Sequence, residues 1–380
     1  TWRAQSGAGP PQMKKPVYSR RRVLAGAAAW GLPAAVAMSG VSAFGTALPA
    51  PFPIPDQKRI PYGAAVRAGA LAADADYRAA IAANCQLIVA EGEMKWPDIH
   101  PARGVYSFEK ADAIADFARQ NRMQVRGHTL AWYGGMPEWT ASIGSRGEAE
   151  RELVGHIETV VSRYRDVIPS WDVVNEPLVD SPADAGSLRP SIWTRQLGSD
   201  YLAIALRATA ATDPRARLVL NEYDIEFEGP RFAAKRKALL QLLRALRDRD
   251  VPLHALGLQA HLFADRKIDR VALQRFLTDV VALGLDVVIT ELDVVDFKLP
   301  GDVRERDARV AKIAGEFLDA VCEVVRPRAI LTWGLSDRYS WVPIYFTRRD
   351  GLPNRPLPLD ADFQRKPLFD VIDDVRRRFA

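Results

Sequence analysis

The chain has 380 residues, which is enough for one large α/β barrel or for two ordinary domains. Its net charge of +5 arises in residues 1–50, which carry six Lys and Arg side chains and no acid. Without those six charges the remainder has a net charge of −1, so the basic balance gives no argument for nucleic acid binding. Cys85 and Cys322 are too few for a disulfide framework and lie in apolar segments, which predicts two buried thiols.

Residues 1–47 have the three parts of a signal peptide. Arg20–Arg22 supply the positive charge, Ala25–Ala37 is an apolar run, and small residues accumulate at Ala43–Ala47. The consecutive arginines resemble the twin-arginine type of signal. The apolar run is short for a membrane span. We therefore expect cleavage near the end of this leader, export to the periplasm or the medium, and no membrane attachment afterwards. Residues 48–60 are predicted to be a short connecting segment.

From residue 61 onward, short apolar runs rich in β-branched residues alternate with longer helical stretches. The eight predicted strands lie near Tyr62–Val66, Leu87–Ala90, Gln124–Thr129, Trp171–Asn175, Leu218–Asn221, Ala255–Gln259, Val287–Thr290 and Ile330–Gly334. The predicted helices include Ala111–Asn121, Ala149–Tyr164, Asp200–Ala211, Phe232–Asp250, Asp269–Gly284 and Arg304–Val325. This alternation predicts one (β/α)8 barrel, a TIM barrel, as a single catalytic domain over residues 61–380. The charge cluster Lys235–Arg249 is interpreted as a solvated helix face.

Two of the predicted strands end in carboxyl groups. The strand at Trp171–Asn175 gives way to Glu176 and then to Pro177, which cannot continue the ladder. The strand at Val287–Thr290 is followed by Glu291 and Asp293. A single such carboxyl is most often a structural salt bridge. Two glutamates at the same end of one barrel match the needs of glycoside hydrolysis, which uses a proton donor and a nucleophile or base on one bond.

The other strand ends are also rich in polar and indole side chains. In chain order they carry Glu91, Lys95 and Trp96; His128 and Trp132; Asn221, Glu222 and Tyr223; Gln259 and His261; Trp333 and Trp341. Indole faces stack on sugar rings, while amides and carboxylates bind hydroxyl groups. The pattern predicts a sugar-binding cleft at the carboxyl ends of the strands. No metal-ligand spacing, phosphate-binding loop or G-x-S-x-G motif is found, so we expect no metal and no cofactor.

Seven ordered motifs together resemble the glycoside hydrolase family 10 endo-β-1,4-xylanases. They lie at Glu91–Trp96, Gly127–Trp132, Trp171–Glu176, Ala211–Pro214, Leu258–Leu262, Ile289–Val294 and Trp333–Trp341. The resemblance extends from about Pro61 to the C-terminus. It implies a retaining endo-1,4-β-xylanase that acts on xylan or xylo-oligosaccharides, and we expect it to be a monomer.

The same resemblance assigns roles to residues. Glu176 would be the general acid/base and Glu291 the nucleophile, and retention requires their carboxyl groups to be about 5–5.5 Å apart. Asn175 would bind the sugar 2-hydroxyl group, and His261 and Asp293 would orient Glu291 and keep it ionised. The implied substrate-binding residues are Glu91, Lys95, His128, Trp132, Gln259, Trp333 and Trp341.

Three motifs depart from the family pattern. Gly92 stands where the family usually has Asn, and Tyr133-Gly134-Gly135 stands where it has His-x-Gln. Glu222 replaces the Asp of the family's Asn-Asp-Tyr. Two interpretations remain open for Gly92 and Gly135: they make room for a substituent on the sugar chain, or they weaken sugar binding.

Two other functions remain open as well. The altered positions are compatible with another retaining β-glycanase or transglycosidase on the same barrel. From a different class, a non-catalytic sugar-binding protein could keep the cleft, although it would have no need of both Glu176 and Glu291. A purely structural barrel would not explain the polar strand ends.

Overall fold

The computed structural model describes residues 58–180 and 187–379. The predicted leader, its cleavage site and most of the connecting segment lie outside the described residues. The domain boundaries therefore stay a prediction. Within the described ranges, no helix is long and apolar enough to cross a lipid bilayer.

Within the described residues, nine parallel strands form one closed sheet. They are β1 Tyr62–Val66, β2 Leu87–Ala90, β3 Gln124–Ala131, β4 Ser170–Asn175, β5 Arg217–Glu222, β6 Ala255–Leu258, β7 His261–Phe263, β8 Asp286–Val295 and β9 Ile330–Thr332. The strand order is β6-β5-β4-β3-β2-β1-β9-β8-β7, and an additional β6–β8 pairing closes the sheet. The short β7 follows β6 closely along the chain and pairs with β8. The sheet is therefore an eight-stranded barrel, and the (β/α)8 prediction is confirmed.

Helices connect the strands and surround the barrel. They are α1 Ala68–Ala73, α2 Ala75–Asn84, α3 Trp96–Ile99, α4 Glu109–Gln120, α5 Arg146–Arg163, α6 Ile192–Leu197, α7 Asp200–Thr212, α8 Pro230–Asp248, α9 Arg270–Ala282, α10 Val303–Cys322, α11 Val342–Tyr345 and α12 Pro367–Arg377. The six predicted helices are confirmed to within a few residues. Several begin at a side-chain cap, as α5 does at Ser145, whose side chain accepts a hydrogen bond from the Glu148 amide.

The apolar residues form two clusters. The larger one contains the apolar faces of the helices and the strand residues beneath them. The smaller one takes residues such as Ala65, Val89, Val219 and Leu331 from strands around the barrel and fills its interior. Because the interior is packed, a site formed by the barrel strands lies at the mouth of the barrel. Cys85 is buried as predicted, whereas Cys322 is partly exposed.

Strand β8 is longer than predicted. We expected it to end at Thr290, but it continues to Val295, and Glu291 and Asp293 lie inside it. The reason is that β7 pairs with the second half of β8, with His261 opposite Asp293. These carboxyl groups are therefore held by paired backbone.

The interpretation of Lys235–Arg249 as a solvated helix face is wrong for its first two residues. Lys235 and Arg236 on α8 are buried, with 3% and 5% of their surface exposed. Each has buried or partly buried acidic partners, which the charge pattern of a single helix cannot reveal. Lys235 binds Glu222 and Asp180, and Arg236 binds Asp269.

Candidate active site

The Glu291 carboxylate lies buried at the mouth of the barrel. Its Oε1 accepts a hydrogen bond of 2.6 Å from Asn221 Nδ2, and its Oε2 lies 3.2 Å from His261 Nε2. Burial alone would raise the pKa of this carboxyl group, but the hydrogen bond from His261 and the nearby positive charges outweigh burial and lower the pKa to about 2. Glu291 is therefore ionised at neutral pH and has the charge that a nucleophile needs.

The Glu176 carboxyl group accepts hydrogen bonds from three side chains. Trp132 Nε1 donates to Oε2 at 2.9 Å, while Asn175 Nδ2 and Gln259 Nε2 donate to Oε1 at 3.1 and 2.9 Å. The backbone of Glu176 is in the left-handed region, with φ of 52°, and its amide donates to the Asn221 carbonyl group at 2.8 Å. This sharp turn directly after β4 turns the side chain into the cleft.

Asn221 connects the two glutamates, and it was missing from the predicted site residues. Its Nδ2 donates to Asn175 Oδ1 at 2.9 Å as well as to Glu291, and its Oδ1 accepts from Thr290 Oγ1 at 2.7 Å. Asn175 and Asn221 are register partners on β4 and β5, which explains their contact. The position of Asn221 at a strand end could be read from the sequence. Its contact with Glu291 could not, because the two residues are 70 positions apart in the chain.

His261, Asp293 and Trp341 form a chain of contacts behind Glu291. Asp293 Oδ1 lies 2.9 Å from His261 Nδ1, and Asp293 Oδ2 accepts from Trp341 Nε1 at 2.6 Å. Burial would lower the pKa of His261, but Asp293 and Glu291 together raise it well above its usual value. The imidazolium between two carboxylates fixes Glu291 and stabilises its charge.

The remaining predicted residues lie at the same end of the barrel. His128 Nδ1 is 3.0 Å from Asp172 Oδ2, and Arg126 donates to the other oxygen of Asp172 at 2.5 Å. The His128 ring also lies edge-on to Trp333, with centroids 5.2 Å apart. Lys95 places its ammonium group 4.8 Å from the Trp132 ring centroid and 5.6 Å from that of Trp333.

Glu91 was predicted to bind substrate, and it has a partner that the sequence did not suggest. Arg67 holds both of its carboxylate oxygens, with Nε to Oε2 at 2.8 Å and Nη2 to Oε1 at 2.7 Å. The structure therefore groups all twelve predicted site residues at one end of the barrel. Two residues predicted to bind substrate have protein partners in addition: Gln259 donates to Glu176, and Glu91 forms an ion pair with Arg67.

A buried charge network supports the loop that carries Glu176. Glu222 is fully buried and binds the Lys235 ammonium group at 2.9 Å, and burial raises the pKa of Glu222. The same ammonium group lies 3.0 Å from Asp180, which also accepts two hydrogen bonds from Arg189. Arg189 Nε donates to the Glu176 carbonyl group at 3.3 Å.

Comparison with known proteins identifies this arrangement. The sequence profile of glycosyl hydrolase family 10 matches residues 54–375. The chain belongs to glycosyl hydrolase family 10. The chain is 36% identical to endo-1,4-beta-xylanase C of Phanerodontia chrysosporium over 290 residues. This match covers 75% of this chain and 68% of the relative. It is 35% identical to endo-1,4-beta-xylanase B of Thermotoga neapolitana, over 74% of this chain and 78% of the relative.

Solved family 10 structures have the same fold. Xylanase 10B from Thermotoga petrophila RKU-1, determined in complex with xylobiose, is similar with a TM-score of 0.77 and 30% identity, over 87% of this chain and 97% of that one. Native xylanase 10B from Thermotoga maritima is similar with a TM-score of 0.76 and 31% identity, over 84% of this chain and 96% of that one.

The glycines that distinguish this family 10 chain differ in their surroundings. A Cβ atom at Gly92 would meet nothing within 4 Å. At Gly135, whose φ is 61°, it would contact the Trp132 ring at 3.4 Å, and at Gly134 it would lie 2.8 Å from that ring. Of the two open interpretations, extra space is therefore compatible with the surroundings of Gly92 but not with those of Gly135, where the Trp132 ring packs against the backbone.

Proposed function

We propose that this chain is a retaining endo-1,4-β-xylanase that hydrolyses internal β-1,4-xylosidic bonds of xylan or xylo-oligosaccharides by double displacement. The observation that supports it most is the contrast between the two glutamates. Glu291 is buried against an imidazolium that keeps it ionised. Glu176, which follows β4 at the same end of the barrel, accepts hydrogen bonds from the neutral side chains of Trp132, Asn175 and Gln259. Family 10 relatives named as xylanases, one bound to xylobiose, support the substrate class.

In the first step, Glu291 attacks the anomeric carbon while Glu176 protonates the departing glycosidic oxygen. Glu176 Oε1 accepts two amide hydrogen bonds, while Oε2 accepts the one from Trp132 and keeps a lone pair for the transferred proton. In the second step, Glu176 acts as a base on a water molecule, which releases the sugar from Glu291. Asn175 donates to Glu176 and accepts a hydrogen bond from Asn221, which in turn contacts Glu291. We expect Asn175 to bind the 2-hydroxyl group of the sugar, an interaction that strengthens in the transition state.

The experiment compares the wild type with Glu291→Ala and Glu176→Ala on xylan, with reducing ends as the readout. We expect Glu291→Ala to be inactive. Glu176→Ala should keep activity on an aryl xylobioside whose leaving group needs no protonation, and added azide should accelerate it and yield the β-glycosyl azide. An α-glycosyl azide from Glu176→Ala would contradict the assigned roles. Sugar binding without hydrolysis by the wild type would identify a binding protein instead.

We also infer export of the protein through a twin-arginine-type signal. The support is the sequence of residues 1–47 described above. Expression of the full chain in a bacterium with and without its twin-arginine translocase tests this inference. We expect xylanase activity outside the cytoplasm only when the translocase is present, and Arg21→Lys/Arg22→Lys should block export. Equal export in both strains would contradict it.

A further inference from the structure

Arg189 supports the main chain at Glu176. Its Nε donates to the Glu176 carbonyl group at 3.3 Å, and its own amide donates to the Pro177 carbonyl group at 2.7 Å. The other two nitrogens of the guanidinium group donate to the two oxygens of Asp180 at 3.1 and 3.0 Å. The guanidinium group therefore connects Asp180 to the sharp turn that directs the Glu176 side chain into the cleft.

The Tyr133 ring packs against this guanidinium group. The Cζ atom of Arg189 lies over the ring, 4.6 Å from its centroid. A cation–π contact of this kind strengthens when water is excluded, and Arg189 is only 9% exposed. A second ring, that of Tyr223, lies farther away at 5.6 Å and also bonds to Asp180 through its hydroxyl group. Tyr133 is therefore placed to fix the guanidinium group by its ring alone.

The surroundings of Tyr133 place it between the two residues that hold Glu176. The Trp132 ring makes a T-shaped contact with the Tyr133 ring, with centroids 5.5 Å apart, and Trp132 donates to the Glu176 carboxyl group. Arg189, on the other contact of the ring, donates to the Glu176 main chain. Burial raises the pKa of Tyr133, and the charge of Glu176 raises it further, so the hydroxyl group stays protonated at neutral pH.

We propose that Tyr133 is a positioning residue for the acid/base Glu176 and that it acts through Arg189. The inference rests on the proposed function, because it concerns how the proton donor of that mechanism is held. The ring keeps the guanidinium group where its Nε reaches the Glu176 carbonyl group. Without the ring, the guanidinium group follows its stronger bonds to Asp180, and the Glu176 carboxyl group loses its alignment with the departing glycosidic oxygen.

The test compares the wild type, Tyr133→Leu and Tyr133→Phe on phenyl xylobioside and dinitrophenyl xylobioside. Phenoxide needs a proton from Glu176 to leave, whereas dinitrophenoxide does not, so the ratio of the two kcat/KM values reports proton donation. Tyr133→Leu should lower kcat/KM for the phenyl substrate about tenfold, the size of one desolvated cation–π contact, and leave the dinitrophenyl substrate nearly unchanged. Tyr133→Phe keeps the ring and should match the wild type on both substrates.

Two further variants separate this role from general effects. Phe108→Leu removes a similar cation–π contact, with Arg163 at 4.4 Å, at the start of the outer helix α4, and should leave the substrate ratio unchanged. Arg189→Lys keeps a positive charge but has no Nε donor for the Glu176 carbonyl group. It should lower the phenyl rate by itself, and Tyr133→Leu should add little to it because the route through Arg189 is already broken.

An equal loss on both substrates in Tyr133→Leu, or the same loss in Tyr133→Phe as in Tyr133→Leu, would overturn the proposal. So would a full tenfold effect of Tyr133→Leu in the Arg189→Lys background.

Urea unfolding of the two single variants and the double variant tests the contact without turnover. The destabilisation of Tyr133→Leu/Arg189→Lys should be smaller than the sum of the single effects, and strict additivity would overturn the proposal. Absence of any hydrolysis by the wild type would count against the proposed xylanase activity alone. An active wild type whose substrate ratio is unchanged in Tyr133→Leu would count against the role of Tyr133 alone.

Discussion

Replacement of His261 should shift the acid limb of the pH profile of kcat/KM. This limb reports the protonation of Glu291, because only the ionised carboxylate attacks the sugar. His261 is a main cause of the low pKa of Glu291, through both its hydrogen bond and its charge. His261→Leu removes both contributions, whereas His261→Gln can keep a neutral hydrogen-bond donor at the same place.

The size of the shift follows from the pKa of Glu291. The site lowers it from 4.5 to about 2, and His261→Leu should return it to at least 4.5. At pH 4 the ionised fraction then falls from nearly complete to about one quarter, so kcat/KM at this pH should drop about fourfold relative to its value at pH 7. His261→Gln should give an intermediate limb.

The assay uses an aryl xylobioside with a good leaving group, because its cleavage depends little on proton donation by Glu176. Values of kcat/KM are compared between pH 3 and pH 7 within each variant, so that a general loss of activity cancels. Coincident acid limbs for the wild type and His261→Leu would refute the reasoning. They would mean that other nearby positive charges, such as that of Lys95, keep Glu291 ionised without the His261 imidazolium.

Three further outcomes are expected. Gly134→Ala should force the Trp132 ring away from Glu176, because the added Cβ would lie too close to the ring. The lost hydrogen bond to a charged group should lower kcat/KM about tenfold. Gly155→Ala, on the outer helix α5, should leave kcat/KM unchanged. Lys235→Met should reduce the free energy of unfolding by about 3–5 kcal/mol in urea titrations, because it leaves the buried Glu222 carboxylate without its ion-pair partner. A second change, Glu222→Gln, should restore part of this loss. Burial lowers the pKa of His156, so between pH 6.5 and pH 5 only the unfolded chain binds a proton at this residue, and the folded protein loses stability as the pH falls. His156→Phe should therefore reduce the loss of stability over this range by about 2 kcal/mol. Equal urea midpoints for variant and wild type at both pH values would contradict this.

The barrel and the two glutamates could be predicted from the sequence because their signals are local. Strands β1 and β2 match their predicted bounds, since each is a short apolar run between helical stretches. Glu176 was recognised because Pro177 ends its strand. The end of β8 was misplaced because the polar residues Glu291 and Asp293 suggest a strand end, although in a barrel such residues also point inward from a continuing strand.

The contacts that tune the site could not be predicted, because they join distant parts of the chain. The partners Arg67 and Glu91 follow different strands, β1 and β2, and nothing near either residue in the sequence indicates the other. The burial of Lys235 depends on Glu222 and Asp180, which come from two other segments. A single helix with many charges gives no sign of which charges will face inward.

The register of the parallel barrel explains why the polar side chains cooperate in pairs. Asn175 and Asn221 are opposite each other on β4 and β5, and His261 and Asp293 are opposite each other on β7 and β8. In the first pair each amide donates to one of the two glutamates, whereas in the second pair His261 contacts Glu291 and Asp293 lies behind it. A change of Asp293 therefore acts on Glu291 through His261, so Asp293→Asn should reproduce much of the pH shift of His261→Leu while the hydrogen bond to Glu291 remains possible.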